Sequence, residues 1–234
     1  MKLNKLTVIA GGVCLSLFLI GFAFSASASN AANPSTDKVD TIRSSFNDLK
    51  AKLDPDQNHQ NSAVPVPLVQ GEDFQISKQE FIFYKSNLEL INKLQNHQIS
   101  ISDDALIDNM VKKKLTVSYA KNLGLKVTPE EVDAVIERER SSLSDSSIKG
   151  RNNETVRELM KQRIRITGLS EDEFWNSDQT KKEYEKALLI GKLFDKLAAE
   201  GKIGKEGADF ESFQKNLLES SVGKLTINKN VLKP

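Results

Sequence analysis

Ser77-Lys78-Gln79-Glu80, Thr128-Pro129-Glu130-Glu131 and Ser170-Glu171-Asp172-Glu173 repeat one arrangement, a hydroxyl residue three places before a glutamate. The hydroxyl can accept from the third amide of a helix while the carboxylate reaches back to the first, so two donors that a helix start leaves unpaired are satisfied together. A chain with three such starts is committed to helices. Apolar residues at three- and four-residue spacing follow them, and Gly124, Gly168 and Gly201 stand where a left-handed stop belongs. Ser102-Asp103-Asp104 opens another helix carrying Leu106, Ile107, Met110, Val111, Leu115, Tyr119 and Leu123. The spacing predicts further helices from Pro129 to the polar loop Ser141–Asn153, over 154–167 and 178–200, and a short one over 210–218 bearing Phe210, Phe213 and Leu217.

The helix from Ser77 to about His97 carries two apolar stripes, Phe81, Tyr84, Leu88 and Ile91 on one and Phe83, Leu90 and Leu94 on the other. Two stripes imply two covers. Upstream, Val39, Ile42, Phe46, Leu49 and Leu53 mark an amphipathic helix, and residues 54–67, with Pro55, Pro65 and Pro67, read as an extended linker in which His59 is solvated. This division leaves residues 30–67 loosely attached. Leu68-Val69-Gln70 and Phe74-Gln75-Ile76 flank a turn at Gly71-Glu72-Asp73, and Leu225-Thr226-Ile227 alternates as a strand. The fold class is therefore mainly α, with a small two-stranded β element joining the two ends of the helical part.

Met1 to Lys5 holds two lysines, Leu6 to Phe24 is uncharged, and Ser25-Ala26-Ser27-Ala28-Ser29 follows. That order is an export signal, either cleaved after Ala26-Ser27-Ala28 or retained as an anchor through residues 6–24. Both readings place the rest outside the cytoplasm, secreted or on the outer face of the membrane. Cys14 lies within the apolar run, preceded by Val13 and Gly11 instead of a lipobox, and is an apolar filler. With residues 1–30 removed the charge is 31 − 32 = −1 and no cysteine remains, so the mature chain relies on its core without disulfides.

Thirty-three Lys and Arg against 32 Asp and Glu give no net charge of the kind that marks a nucleic-acid binder. One cysteine and two histidines, His59 and His97, are a poor stock for metal or nucleophile chemistry, and no cofactor is indicated. The acids at Glu130-Glu131 and Glu171–Glu173 occupy first turns, where they stabilise the helix dipole. Lys112-Lys113-Lys114 reads as a solvated face, and Gly201 to Gly207 lacks the Gly-Lys-Ser/Thr ending of a phosphate loop. Phe174 and Trp175 fill the core or line a groove for an apolar peptide.

The run Val69-Gln70-Gly71-Glu72-Asp73-Phe74-Gln75-Ile76-Ser77-Lys78-Gln79-Glu80-Phe81 resembles the opening "V-N-G-x-x-I-(S/T)-x-x-E-F" of SurA-type and PrsA-type extracytoplasmic chaperones. Leu106 to Leu115 and Tyr119 to Val132 are similar to that family's "L-I-x-x-x-I-x-x-x-L... Y-A-x-x-x-G-(I/L)-x-V-(S/T)-x-x-E-V" core, and Gly168 to Phe174 to its "G-(L/M)-(S/T)-x-x-(E/Q)-(E/F)" step. The resemblance covers about Leu68 to Ile227. It implies a SurA N-terminal-like helical domain over 68–228, preceded by the signal (1–29), the amphipathic helix (30–53) and the linker (54–67), and followed by a tail (229–234). It further implies a non-enzymatic protein that holds unfolded or partly folded exported polypeptides in an apolar groove between helices. An envelope adaptor with one dedicated protein partner is the alternative. The parvulin isomerase domain that many relatives insert before the closing helix is missing, since Gly201 to Gly207 is a short connection without histidine. Candidate client-binding residues are Phe83, Tyr84, Leu90, Leu94 and Trp175. Nucleic acid is not an expected partner.

Overall fold

A computed structural model describes residues 34–53, 66–97, 100–144, 151–204 and 206–233. The export segment, residues 54–65 of the linker with His59, and residues 145–150 of the polar loop lie outside the described residues. In chain order the elements are α1 (Pro34–Leu53), β1 (Val69–Gln70), β2 (Gln75–Ile76), α2 (Lys78–Leu94), α3 (Asp103–Asn122), α4 (Pro129–Ser144), α5 (Arg151–Thr167), α6 (Glu171–Asn176), α7 (Asp178–Ala199), α8 (Gly207–Ser221) and β3 (Thr226–Ile227). The chain is mainly helical with one small antiparallel sheet.

The helix starts follow the hydroxyl–glutamate chemistry. Glu80 accepts from the Ser77 amide at 2.8 Å and the Ser77 hydroxyl accepts from the Glu80 amide at 3.0 Å. The same reciprocal pair joins Ser170 and Glu173, and Ser102 caps α3 through the Ala105 amide. Gly124, Gly168 and Gly201 take φ between 67° and 75°, the left-handed conformation in which a side chain is strained. Asn96, at φ 55°, ends α2 at Leu94, three residues before the expected stop. Other ends run longer than expected: α4 reaches Ser144, α5 begins at Arg151, and α8 starts at Gly207, where Asp209 accepts from the Gly204 amide at 3.0 Å.

Three strands, not two, make the sheet, in the order β2-β1-β3. Val69 faces Ile76 on one side and Ile227 on the other, and Gln70 faces Gln75 and Thr226. The reason is that β1 has two edges; the hairpin uses one and the returning chain the other.

By their contacts the described residues divide into two compact units, one of 34–53, 82–97, 130–144 and 151–184, the other of 66–81, 100–129, 185–204 and 206–233. In the first unit the apolar stripe of α1 is buried and α1 packs chiefly on α5. Arg43 Nε donates to Glu158 Oε1 at 2.8 Å, and Arg165 Nη2 to Asn47 Oδ1 at 2.7 Å. The expectation of a loosely hung helix therefore fails for residues 34–53, because a stripe of five apolar side chains is stable only when covered. Burial works to raise the Glu158 carboxyl, but hydrogen bonds from Arg43 and Gln162 and the Arg43 charge outweigh it and hold the group below the usual carboxylate range.

In the second unit Ala120, Leu189, Leu193 and Leu197 form a buried cluster, joined by Val117, Tyr119, Phe210 and Phe213. Tyr119 meets the Phe213 ring edge-on at 5.2 Å, and Phe210 stacks on Phe213 at 5.8 Å. Gln214 Nε2 donates to Thr116 Oγ1 at 3.0 Å, a second tie between α8 and α3. The lysine run on α3 is not a solvated face. All three residues are half-buried; Lys114 pairs with Glu80 at 3.0 Å, and burial, with the charge of Lys112, pushes the Lys113 amine down to about 8.

Lys113→Met is accordingly expected to stabilise the protein at pH 7 by on the order of 1–3 kcal/mol. The folded chain binds the Lys113 proton more weakly than the unfolded chain, whose ordinary value is 10.5. Stability therefore rises with pH between about 8 and 10.5, and the penalty removed by methionine is full below that window and gone above it. Urea unfolding at pH 7 and near 10.5 checks this: an equal difference between variant and parent at both values would contradict it.

Candidate functional site

An open cleft of about 380 Å³ lies in the second unit. Its first wall is the β1–β2 turn. The Gly71 amide donates to the Phe74 carbonyl at 2.9 Å, and the Phe74 ring folds back so closely that a Cβ on Gly71 would stand 2.6 Å from it. Glycine at 71 is thus what lets Phe74 turn toward the cleft. Ser118 Oγ donates to Asp73 Oδ2, which ties the turn to α3.

The second wall is one face of α3, where Leu115, Ser118, Tyr119 and Asn122 recur at helical spacing. The third comes from α8 and the segment after it, through Leu217, Ser220, Ser221, Lys224 and Leu225. The hydroxyls of Ser220 and Ser221 are engaged with the carbonyls of Asn216 and Leu218, at 2.7 and 2.8 Å. Phe74, Leu115, Tyr119, Leu217 and Leu225 are each half-buried, so the lining keeps apolar surface in reach of solvent. Glu72 and Asp73 carry negative charge on one side and Lys224 positive charge on the other. This is the chemistry of holding a ligand, apolar contact with a polar rim. Among the described residues no group of three or more His, Cys, Asp or Glu is placed to hold a metal ion.

The residues singled out in the sequence lie elsewhere. Phe83, Leu90 and Leu94 are buried on α2, Trp175 is 1% exposed, and Tyr84 is half-buried with its hydroxyl pushed up by burial. Of the two stripes of α2, that of Phe83, Leu90 and Leu94 is buried throughout, and the other is half-buried apart from Phe81. Phe174 and Trp175 pack edge-to-face at 5.3 Å, the core-filling alternative.

Polar side chains are also paired within the first unit. Asn87 Nδ2 donates to the Phe83 carbonyl at 2.7 Å, and Asn87 Oδ1 accepts from Arg163 Nη2 at 3.3 Å. Tyr184 donates its hydroxyl to Glu139. Burial pushes the Glu139 carboxyl above the usual range, against the Tyr184 hydrogen bond and the Arg163 charge, which pull it down. Sequence reasoning missed both features. The cleft draws on three segments far apart in the chain, and Arg163 stands among the arginines of a very polar helix without any local mark of burial.

No known protein family, curated protein or solved structure matches this chain.

Proposed function

We propose that this chain is an exported, non-enzymatic protein that holds unfolded or partly folded extracytoplasmic polypeptides, in the manner implied by its resemblance to SurA-type and PrsA-type chaperone domains. The observation that carries the reading is the cleft, where five half-buried apolar side chains surround an open volume of about 380 Å³ rimmed by hydroxyls and both signs of charge. Apolar surface left at a solvent boundary is useful when a partner covers it. A side chain of an unfolded polypeptide has the right size and chemistry.

The test is binding of a dye-labelled, permanently unfolded polypeptide, followed by fluorescence anisotropy. Phe74→Ala combined with Leu217→Ser is expected to weaken binding about tenfold or more, because both anchors leave the cleft together. The unfolding midpoint should shift by only a few degrees, since both side chains are half-buried. Unchanged affinity in the double variant would overturn the cleft as the site. Binding of one native envelope protein and of no unfolded chain would favour the adaptor instead.

A further inference from the structure

The sheet ends in β3, a strand with one neighbour. The Asn228 amide donates to the Leu68 carbonyl at 2.8 Å, and Thr226 lies opposite Gln70. Main-chain groups of an antiparallel strand point alternately to either side, so with Thr226 and Asn228 turned toward β1, the N–H and C=O of Ile227 point outward. Among the described residues no strand lies on that side. The Ile227 side chain is 42% exposed, and Val222, in the turn before the strand, is 69% exposed.

Side chains two apart on a strand share a face, which puts Ile227 on the face of Leu225. Leu225 lines the cleft. The outward backbone pair and the apolar cleft are therefore continuous. Edge strands are commonly blunted by a charge or a proline on the edge itself; here that position is an exposed isoleucine. The nearby Lys229 is engaged with Asp104 at 2.6 Å.

We infer that the edge of β3 at Ile227 is a strand-addition site: an extended segment of an unfolded polypeptide pairs its backbone with Ile227 and lays an apolar side chain along the Leu225–Ile227 face toward the cleft. A free N–H and C=O pair at strand spacing recognises another backbone, whatever its sequence, and the adjoining cleft selects an apolar side chain. That combination suits a ligand defined by being unfolded. The inference rests on the polypeptide-binding reading above and adds how the chain is gripped.

The experiment uses the full chain and a labelled ten-residue peptide of alternating Val and Thr, alongside the same peptide N-methylated at every amide, which blocks both of its edges. Ile227→Pro removes the outward N–H while leaving the inward bonds of Thr226 and Asn228, and edge positions of this kind tolerate proline. Ile227→Ala keeps the donor and trims the side chain. The expected result is a loss of about five- to tenfold for Ile227→Pro, corresponding to one backbone hydrogen bond, against no more than about threefold for Ile227→Ala. The N-methylated peptide should bind the parent protein as weakly as the plain peptide binds Ile227→Pro. Should that variant fail to fold, the two peptides compared on the parent protein decide alone.

Equal binding of plain and N-methylated peptides would overturn strand addition and leave the cleft reading standing. No binding of the peptide overturns strand addition as well, and loss of the unfolded polypeptide in the same assay takes the cleft reading with it. A dimer that forms through Ile227 and excludes the peptide would make a second copy the occupant, and would also overturn the inference.

Discussion

Phe46→Ala is expected to destabilise the protein by about 3–5 kcal/mol, the cost of emptying a buried phenylalanine site. Phe46 is 1% exposed and stands at the middle of the α1 stripe, with Ile42 one turn before it and Leu49 one turn after. Its neighbours cannot collapse into the gap without moving a helix that is also tied to α5 through Arg43–Glu158 and Arg165–Asn47. In a chain of this size the loss should lower the melting temperature by on the order of 10 °C. Urea unfolding followed by circular dichroism measures it. A change within about 0.5 kcal/mol would mean that α1 hangs free of the first unit, as the Pro-rich stretch after it first suggests.

Arg163→Ala should cost as much, for a different reason. Arg163 is completely buried, and its removal leaves Asn87 Oδ1 without its donor and the Glu139 carboxyl without the cation that offsets burial. Emptying a fully buried site of this size and leaving a buried acceptor without its donor typically costs about 3–5 kcal/mol. The cost should depend on pH. With that nearby charge gone, the Glu139 carboxyl is pushed up further above its ordinary value. A raised carboxyl contributes stability that is fully present below the ordinary value of 4.5 and is lost as pH rises through the folded value. The deficit of Arg163→Ala should therefore be smaller near pH 4 than at pH 7. Adding Glu139→Gln should restore stability at pH 7 and do little at pH 4. An identical deficit at both values would reduce Arg163 to a packing role.

Legibility in the sequence varied with the range of the interaction. Helix starts at Ser77, Ser102 and Ser170 and stops at Gly124, Gly168 and Gly201 are decided within four residues, and the sequence shows them directly. Periodicity likewise reveals that α1 and α2 have apolar faces. It is silent on what covers them, since the same stripe serves a helix packed on α5 and one awaiting a partner. That is why the expected attachment of α1 is loose, and why Phe83, Leu90 and Leu94 stand among the candidate client-binding residues. Two kinds of burial were hidden for a related reason. A lysine or arginine on a polar helix carries no local sign of being inside, so Lys113 and Arg163 declare themselves only once the neighbours are in place. The second strand partner of β1 and the cleft between the turn, α3 and α8 belong to the same class, assembled from segments distant in the chain.

The central position of β1 also sets an order of events in time. Val69 and Gln70 can close the hairpin with β2 as soon as residue 76 has been made, but their other edge waits for Thr226 and Ile227. Through synthesis of the intervening chain that edge is an open template, and the second unit, which takes its last stretch from 185–234, cannot close. Pairings so distant in sequence make folding slow compared with the helices around them. The sheet is therefore completed only when nearly the whole chain is present, since its central strand takes one partner from each end of the second unit.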